Sequence, residues 1–417
     1  MKKEKNMNKR ILVVNVFLFI VAAAGAQSLN YDTYIDLIQK QNAAYMAEKL
    51  HADIGKAEVK AAHAVDDPLL SFGYGNNSDR SVAMGQSLSA EVSKPLSPGK
   101  RASRIGVAEQ QCVVSQTVFD DYWRNLKADA TLDFYQALLV KELLQIDSQA
   151  CRYMEALASS DSLRFVKGEI SALDMQQTRL ELQRAQLELN GRHADYVNAL
   201  RQLDERCGNP FMGTRHVEGR LEIPSRYYEL QQLLDQALHN RPDLRAAEES
   251  VVLVQLEEKL ALRERRPDVE LVFGAGYNTR VRNEEAPAPE FMGYSVGLTV
   301  PLPVLSVNPG VRRAGVLRQQ QARLQSESVR NSIQGELSRM YNTYQAALQK
   351  AKVYGEVLVG NAQQVLEGKR YAYQRGETSL LEVLAAQHAF NEIQGAYANC
   401  IYDCMAALVE LERSAGL

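Results

Sequence analysis

Residues 291–300 of this chain read FMGYSVGLTV, and from Met292 onward every second residue is large and apolar. The residues between them are glycine, serine and threonine. Successive side chains of a β-strand point to opposite faces, so a period of two predicts a strand with one apolar face and one face of small residues. The apolar set is Met292, Tyr294, Val296, Leu298 and Val300, and the small set is Gly293, Ser295, Gly297 and Thr299.

Three further stretches carry the same alternation. Residues 81–93, SVAMGQSLSAEVS, break it only at Gln86, while residues 70–75 and 271–277 repeat it over shorter lengths. Short segments of glycine and polar residues join the stretch 70–75 to 81–93 and the stretch 271–277 to 291–300, which predicts two β-hairpins. Their turns are predicted at residues 76–80 and 279–290.

An alternating strand has two explanations. In a soluble protein the apolar face packs on a core and the polar face meets water. In an outer-membrane barrel the apolar face meets lipid, and tilted strands of about ten residues cross the hydrocarbon. Here the small faces suit the lining of a lumen, which favours the barrel. Because the smallest barrels of this kind have about eight strands, four strands predict an oligomer whose chains complete one barrel together.

Each predicted hairpin is followed by a long stretch without proline, which is typical of long helices. No proline occurs between Pro98 and Pro210 or after Pro309. We predict a helix of about fifty residues, or about 75 Å, over residues 310–360, and an antiparallel partner over residues 380–412. Both halves carry coiled-coil seams, which we interpret as core packing. The seams are Ile393, Tyr397, Cys400, Cys404, Leu408 and Leu411 in the second half, and Leu173, Leu180 and Leu187 with Leu189, Tyr196 and Leu203 in the first.

The chain also matches itself at an offset of 208 residues. Phe165 aligns with Tyr373, Gly168 with Gly376, Asp174 with Glu382, and Leu203 with Leu411. A constant offset over some forty residues predicts an internal duplication of the order helix, hairpin, helix, helix. The predicted divisions are a signal peptide at residues 1–26, a first repeat at 27–208, a connector at 209–227 and a second repeat at 228–417.

The first residues predict export from the cytoplasm. Basic residues precede the apolar run 11–24, and the small residues Ala24 and Ala26 predict cleavage before Gln27. The apolar run is too short for a comfortable transmembrane helix. No cysteine stands at the cleavage point, so lipid anchoring there is not supported. The chain has a formal net charge of −3, so nucleic acid is not an expected partner.

No arrangement of residues predicts catalysis, a cofactor or a metal site. The six histidines show no ligand or triad spacing, and Gly274 and Gly276 lack the βαβ surroundings of a nucleotide-binding loop. The five cysteines lack the spacing of a disulfide framework, although an exported protein could form one. Cys400 and Cys404 could present two thiolates on one helical face, but two ligands do not close a metal site, and both also fit an apolar stripe.

The duplicated order, the barrel-like strands and the two glycine tips resemble the TolC family of outer-membrane efflux channels over essentially the whole mature chain. The tips are residues 165–174, FVKGEISALD, and 373–382, YQRGETSLLE. The resemblance implies an α+β membrane protein in the outer membrane of a Gram-negative bacterium. Three chains of four strands each would form one twelve-strand barrel, continued through the periplasm by an α-helical coiled-coil barrel.

In that family the tips dock on the helical hairpins of a periplasmic adaptor, which recruits an inner-membrane pump of RND or ABC type. The resemblance assigns docking to Gly168, Glu169, Ser171, Gly376, Glu377 and Ser379. It assigns the gate to Tyr373, as an interlocking tyrosine, and to Asp174 and Glu382, as acids at the mouth. Each assignment has a purely structural alternative. Glycines at such places mark turns, and a lone surface acid is usually only solvated. Two positions depart from the family pattern, because Thr378 replaces an expected arginine and Ala385 an expected second acid.

We therefore predict a passive outer-membrane channel of a three-part efflux system, exporting small solutes or metal ions. The alternative is a periplasmic adaptor, which also has a signal peptide but needs compact soluble β domains around one helical hairpin. An exported enzyme is opposed by the lack of a clustered nucleophile, base and acid. The compact length and short first loop resemble the heavy-metal branch of the family, while the cargo and the type of pump stay open.

Overall fold

The computed structural model describes residues 28–76, 84–210, 213–214, 216–282, 284–301 and 309–417. The predicted signal peptide and its cleavage before Gln27 lie outside these ranges. The chain divides into two compact units. The sheet unit comprises Leu50–Phe119 and Pro242–Arg330, and the helical unit comprises the described residues up to Lys49 with Asp120–Arg241 and Asn331–Leu417.

Each half of the chain contains a pair of short helices, then a pair of strands, then long helices, in the predicted order. The strands are β1 Ser28–Leu29, β2 Leu69–Asn76, β3 Gln86–Leu96, β4 His216–Val217, β5 Val269–Asn278 and β6 Phe291–Thr299. The helices are α1 Tyr31–Gln41, α2 Ala43–Ala62, α3 Lys100–Val166, α4 Ala172–Arg206, α5 Leu230–Asn240, α6 Pro242–Glu264, α7 Pro309–Val353, α8 Val359–Gln374 and α9 Leu380–Ala415, with a π-helix at Tyr354–Leu358 between α7 and α8.

The four long strands form one antiparallel sheet in the order β2, β3, β5, β6, so the two hairpins pair through β3 and β5. The register places Tyr74 opposite Leu88, Leu88 opposite Tyr277, and Tyr277 opposite Met292. Because this register holds along every strand, most of the large apolar side chains share one face. Glycine and serine predominate on the other face, which also carries Glu91 and Val272. The predicted two-faced strands are confirmed.

The start of β3 differs from the prediction. The strand begins at Gln86, which pairs with Asn76, and not at residue 81. Gly85 has φ +76°, a left-handed conformation that interrupts a strand, and Met84 also precedes the paired region. Asn76, the first residue of the predicted turn at 76–80, still belongs to β2, and residues 77–83 lie outside the described ranges. Gln86, the one break in the alternation, marks the true boundary.

The long helix of the second half also differs from the prediction. It does not end near Gly360 but continues through the π-helix into α8, which ends at Gln374. Gly355 lies in the π-helix against the ring of Tyr397, and a Cβ at Gly355 would lie 2.8 Å from Tyr397 Oη. A π-helix holds an extra residue per turn, which the sequence periodicity did not reveal. The predicted return partner at 380–412 is confirmed by α9.

The seams fall into two classes. Cys400, Cys404 and Leu411 of the second half and Leu203 of the first are buried in the helical unit, as predicted. The stripe on α4 is not core: Leu173, Leu180 and Leu187 are 77%, 63% and 73% exposed. Heptad spacing shows that side chains share a face, but it does not show whether the same chain covers that face.

The predicted connector carries β4, which pairs in parallel with β1. Val217 of β4 is fully buried, and Lys141 Nζ donates a hydrogen bond of 2.8 Å to its carbonyl oxygen. The connector is therefore tied to the helical unit rather than lying wholly outside it. The core of this unit includes Tyr34, Ile38, Leu203, Leu233, Leu337 and Leu411. Among the described residues, every helix is too short or too polar to cross a bilayer.

Candidate functional site at the helical tips

Two turns of matching geometry join the long helices of the helical unit. Gly168 follows α3 with φ +76°, and Gly376 follows α8 with φ +74°. The Gly168 and Gly376 amides donate to the carbonyl oxygens of Phe165 and Tyr373 at 2.9 and 3.0 Å. The next amides reach further back, from Glu169 to Arg164 and from Glu377 to Ala372, both at 2.9 Å. This is the Schellman pattern, which satisfies the last helical carbonyl groups and requires a left-handed residue.

Serine caps the helix that follows each turn. Ser171 Oγ accepts a hydrogen bond of 3.1 Å from the Asp174 amide, and Ser379 Oγ accepts one of 3.4 Å from the Glu382 amide. The Asp174 carboxylate in turn accepts a 2.8 Å bond from the Ser171 hydroxyl and a 3.4 Å bond from its amide, which completes a capping box. The Asp174 carboxylate therefore stabilises the start of α4, whereas Glu382 contributes only its backbone amide to the cap of α9.

This geometry explains the shared six-residue spacing between each tip glycine and its acid. Three residues lead from the left-handed glycine to the capping serine, and three more lead to the first-turn acid. Glu382 also pairs with Lys369 and accepts a 2.7 Å bond from Thr378 Oγ1. The bond to Lys369, then the bond from Thr378, lowers the pKa of the Glu382 carboxyl. Thr378, which stands where the resemblance predicts arginine, therefore contacts Glu382 within the same tip.

Tyr373 is buried, and its side chain on α8 contacts α3 beneath the two tips. Its hydroxyl donates a 3.1 Å hydrogen bond to Asp161 Oδ1, and Thr178 Oγ1 donates one of 2.8 Å to Asp161 Oδ2. The guanidinium of Arg164 lies 4.9 Å from the centre of the Tyr373 ring and 3.8 Å from Asp161. Three helices, α3, α4 and α8, therefore meet at one fully buried carboxylate.

Burial, followed by the nearby Asp161 carboxylate, raises the pKa of Tyr373 to about 12. The hydroxyl therefore keeps its proton at any physiological pH and remains a donor to Asp161. A buried carboxylate is costly unless hydrogen bonds satisfy it, so this contact locks the relative position of the helices.

Asp161 was not among the predicted site residues. It follows Met154 and Leu157 at helical spacing, and both of these are buried in the cluster that contains Tyr373 and Leu380. An acid on the buried face of a helix was the signal that could have identified it, because such an acid needs a partner.

The predicted docking residues lie together on one exposed surface. Gly168, Glu169, Ser171, Gly376, Glu377 and Ser379 are all exposed. Residues of both tips line a shared cavity of about 520 Å³, with Tyr373 and Arg164 in its wall. A Cβ at Gly168 or Gly376 would meet no atom within 4 Å, so backbone conformation and not crowding requires glycine there. Each tip also holds an exposed acid beside an arginine: Glu169 lies 3.4 Å from Arg164, and Glu377 lies 3.8 Å from Arg375.

The sheet unit presents a second notable surface. The apolar face is exposed, with Phe72 at 75%, Tyr294 at 80% and Val296 at 77%. On the other face, serine hydroxyls rest directly over glycines: a Cβ on Gly73, Gly75 or Gly274 would lie 2.5 or 2.6 Å from a serine Oγ. The outer edges of β2 and β6 have no strand partner among the described residues. Large exposed apolar faces and unpaired strand edges are typical of interaction surfaces.

The cysteines lie in packed surroundings. All five have free thiols. Cys400 and Cys404 are buried in the seam of α9, and burial raises the pKa of Cys404 to about 11. Both residues therefore occupy an apolar stripe, one of the two interpretations that the sequence allowed.

Residues 233–417 match the family described as outer membrane efflux protein. The chain is 24% identical over 324 residues to the cobalt-zinc-cadmium resistance protein CzcC of Cupriavidus metallidurans, which covers 76% of this chain and 74% of that protein.

Solved structures share the fold. A CusC structure that concerns folding and transmembrane channel formation superposes with a TM-score of 0.74 at 17% identity, covering 92% of this chain and 91% of that one. The CmeC outer membrane channel of Campylobacter jejuni gives 0.73 at 14% identity, covering 92% and 85%. The outer membrane protein VceC of Vibrio cholerae gives 0.72 at 16% identity, covering 92% and 95%.

Proposed function

We propose that this chain, which is similar to outer membrane efflux proteins in sequence and to solved outer-membrane channels in fold, is a TolC-like channel and forms the passive outer-membrane component of a three-part efflux system. The observation that supports this best is the two-faced sheet. Most of its large apolar side chains cover one face, glycine and serine predominate on the other, and both edges lack a strand partner among the described residues. A sheet of this kind is complete only when lipid covers one face and further strands close the edges.

The proposed assembly is a homotrimer. Three copies supply twelve strands, with β6 of one copy pairing with β2 of the next, and the glycine and serine face lines the lumen. The helices of the helical unit continue as a coiled-coil barrel in the periplasm. The exposed stripe of Leu173, Leu180 and Leu187 on α4 is then available for packing against a neighbouring copy.

We assign adaptor docking to the exposed tip residues around Gly168 and Gly376. Their glycine turns leave open surface, and the cavity between the tips offers a recess for a helical hairpin. An inner-membrane pump of RND or ABC type, reached through the adaptor, provides the energy. The channel itself carries out no chemistry.

The gate is proposed at Tyr373, Asp174 and Glu382. Tyr373 holds α8 to α3 and α4 through Asp161, so release of this contact would let the tips separate. Asp174 and Glu382 would contribute six carboxylates per trimer near the mouth. Like charges gathered in a narrow passage attract cations.

Single-channel recordings of Asp174→Asn combined with Glu382→Gln test the acidic part of the gate. Both replacements keep an oxygen acceptor for the tip hydrogen bonds, so the capping geometry survives while the charge is lost. Cation selectivity and block by divalent ions should both fall. Currents identical to those of the unaltered protein would remove these acids from the gate.

Divalent metal ions are the proposed cargo. The support is the similarity to a protein named for cobalt, zinc and cadmium resistance. Deletion of the gene should raise cellular zinc, cobalt or cadmium under metal challenge, and the intact gene should restore export. Normal metal levels with a raised content of an organic toxicant would assign a different cargo.

The channel assignment is tested separately by fractionation. The mature protein should appear in outer-membrane fractions and migrate as a trimer in unheated detergent samples. A monomer recovered from a detergent-free periplasmic extract would reject the channel and favour the adaptor alternative.

A further inference from the structure

Arginines gather at one end of the sheet. Three junctions between strands and helices lie at this end: β3 to α3, α6 to β5, and β6 to α7. The antiparallel register brings the end of β3, the start of β5 and the end of β6 together. We define the arginine rim by five exposed side chains at these junctions, namely Arg104, Arg265, Arg266, Arg312 and Arg313. All five belong to the sheet unit.

Other basic residues at this end have internal partners. Lys100 Nζ lies 2.9 Å from Asp268, and Arg101 donates to the His63 carbonyl oxygen. Arg263 Nη1 donates to the Gly99 carbonyl at 2.8 Å and to Ser103 Oγ at 2.9 Å. These contacts stabilise the junctions, so these three basic residues have a structural role.

The arginine rim differs, because none of its five guanidinium groups has a carboxylate within 4.0 Å in the described part of the chain. Exposed apolar side chains stand among them, at Leu96, Leu262, Val311, Val316 and Leu317. On α7, Gly315 faces α6, where a Cβ would lie 2.9 Å from Glu258 Cγ. Arg313 and Leu317, two residues to either side, therefore point away from that contact.

The opposite end of the sheet is different in charge. The connection between β5 and β6 carries Arg280 and Arg282, but also Glu284, Glu285 and Glu290. Tyr277 Oη donates a 3.0 Å bond to Glu290 there. The end that joins the helices also carries acids, namely Asp66, Asp67, Glu264, Asp268 and Glu270, but its arginines and lysines outnumber them, whereas the opposite end has no such surplus.

We propose that the arginine rim binds the phosphate groups of anionic phospholipids in the membrane leaflet that faces the periplasm. The inference rests on the proposed function, which places the sheet in the outer membrane and the helices in the periplasm. Guanidinium groups bind phosphate through paired hydrogen bonds, and apolar side chains at the same level insert among the acyl chains. Basic residues beside a membrane-spanning segment are attracted to anionic lipid surfaces.

The test uses full-length protein in detergent, equilibrated with equal amounts of phosphatidylglycerol and phosphatidylethanolamine, and measures retained lipids by native mass spectrometry. The unaltered protein should retain phosphatidylglycerol preferentially. The variant R265Q/R266Q/R312Q/R313Q should lose that preference by at least about tenfold. The two double variants, R265Q/R266Q and R312Q/R313Q, should each lose part of it and guard against misfolding of the quadruple variant.

Matched controls separate this effect from a general loss of charge. R152Q/R179Q/R201Q/R339Q removes four exposed arginines of the helical unit and should leave the lipid preference unchanged. Lysine at the four rim positions should keep most of the preference, because lysine binds phosphate as a point charge.

Several outcomes would overturn the inference. Equal retention of both lipids by the unaltered protein would reject the arginine rim as a phospholipid site but leave the proposed channel standing. Full displacement of phosphatidylglycerol by millimolar inorganic phosphate would have the same meaning. A rim variant with unchanged lipid retention but altered ion selectivity would assign the arginines to the channel wall. Failure of the unaltered protein to insert into liposomes at all would instead reject the proposed channel.

Discussion

The Tyr373 hydroxyl donates a 3.1 Å hydrogen bond to Asp161 Oδ1, and the two residues are 212 positions apart in the chain. One residue belongs to each half, so the contact couples the two halves at their tips. Asp161 is fully buried and Tyr373 nearly so, which makes the contact hard to replace by water.

Tyr373→Phe should lower the free energy of unfolding by about 1 to 3 kcal/mol, because it leaves a buried carboxylate with one donor fewer. It should also raise the open probability of the channel, if the contact holds the tips together. Thermal unfolding and single-channel recording measure these two effects. Tyr371→Phe is the control, since Tyr371 is exposed and its ring contact with Arg375 survives. Equal behaviour of both variants would show that the contact does not matter.

The same contact predicts a dependence on alkaline pH. A free tyrosine has a pKa of 10.0, and in the folded chain the pKa of Tyr373 is about 12. The folded state therefore holds the proton more tightly, so this stabilisation is complete below pH 10 and disappears as the pH rises from 10 to 12. The difference in unfolding free energy between the unaltered protein and Tyr373→Phe should shrink across that interval. A constant difference would contradict the assigned proton.

Alanine at the tip glycines and at a mid-helix glycine should have opposite effects. Gly168→Ala or Gly376→Ala places a Cβ in the left-handed region and should cost about 1 to 2 kcal/mol. Gly191 lies inside α4 with no atom within 4 Å of an added Cβ, so Gly191→Ala should stabilise by about 0.5 to 1 kcal/mol. Chemical denaturation compares them, and stabilisation by all three would refute the turn assignment.

Charge reversal at the exposed tip acids should disrupt adaptor docking. Glu169→Arg combined with Glu377→Arg changes the surface around the cavity but no buried contact. Crosslinking to the adaptor and resistance should fall while trimers remain in the membrane. Glu188→Arg, on α4, is the control, because Glu188 is equally exposed and also pairs with an arginine, Arg184. Undiminished crosslinking in the tip variant would move the docking site elsewhere.

Lysine on the two faces of β6 should have different consequences. At Tyr294 or Leu298 it should cost about 2 to 4 kcal/mol near the bilayer midplane. At Gly297, where an added Cβ makes ordinary contact with Val272 at 3.7 Å, it should mainly change conductance. The yield of folded trimers and single-channel currents measure the two effects. Similar loss of trimers at all three positions would mean that the apolar face does not meet lipid.

Sequence patterns predicted the strands well where alternation, length and turn residues agreed, as in β5 and β6. They failed at Met84 and Gly85, because residues outside a strand can also alternate and only the pairing partner decides where a strand begins. They failed again for Leu173, Leu180 and Leu187, since periodicity shows that residues share a face without showing what covers that face. The continuation of the helix through Gly360 was missed for a similar reason, because a π-helix leaves no simple periodic signal.

In the candidate site, too, some residues could be predicted from the sequence and others could not. Gly168 and Gly376 were predictable because few residues other than glycine tolerate a left-handed turn. Asp174 and Glu382 were found through a shared spacing, yet that spacing follows from the length of a Schellman turn and a helix cap, so it carries no separate evidence for a gate. Asp161 was missed because its role depends on Tyr373, a residue from the other half of the chain.

The open edges of β2 and β6 have a genetic consequence. In the proposed closed trimer each edge strand pairs with another copy, so one defective copy leaves the whole barrel unsealed. In a cell that makes equal amounts of intact and edge-defective protein, random mixing leaves about one trimer in eight wholly intact if chains combine independently. A mutation that blocks pairing along β6 should therefore be dominant, whereas a mutation that prevents the chain from being made should be recessive.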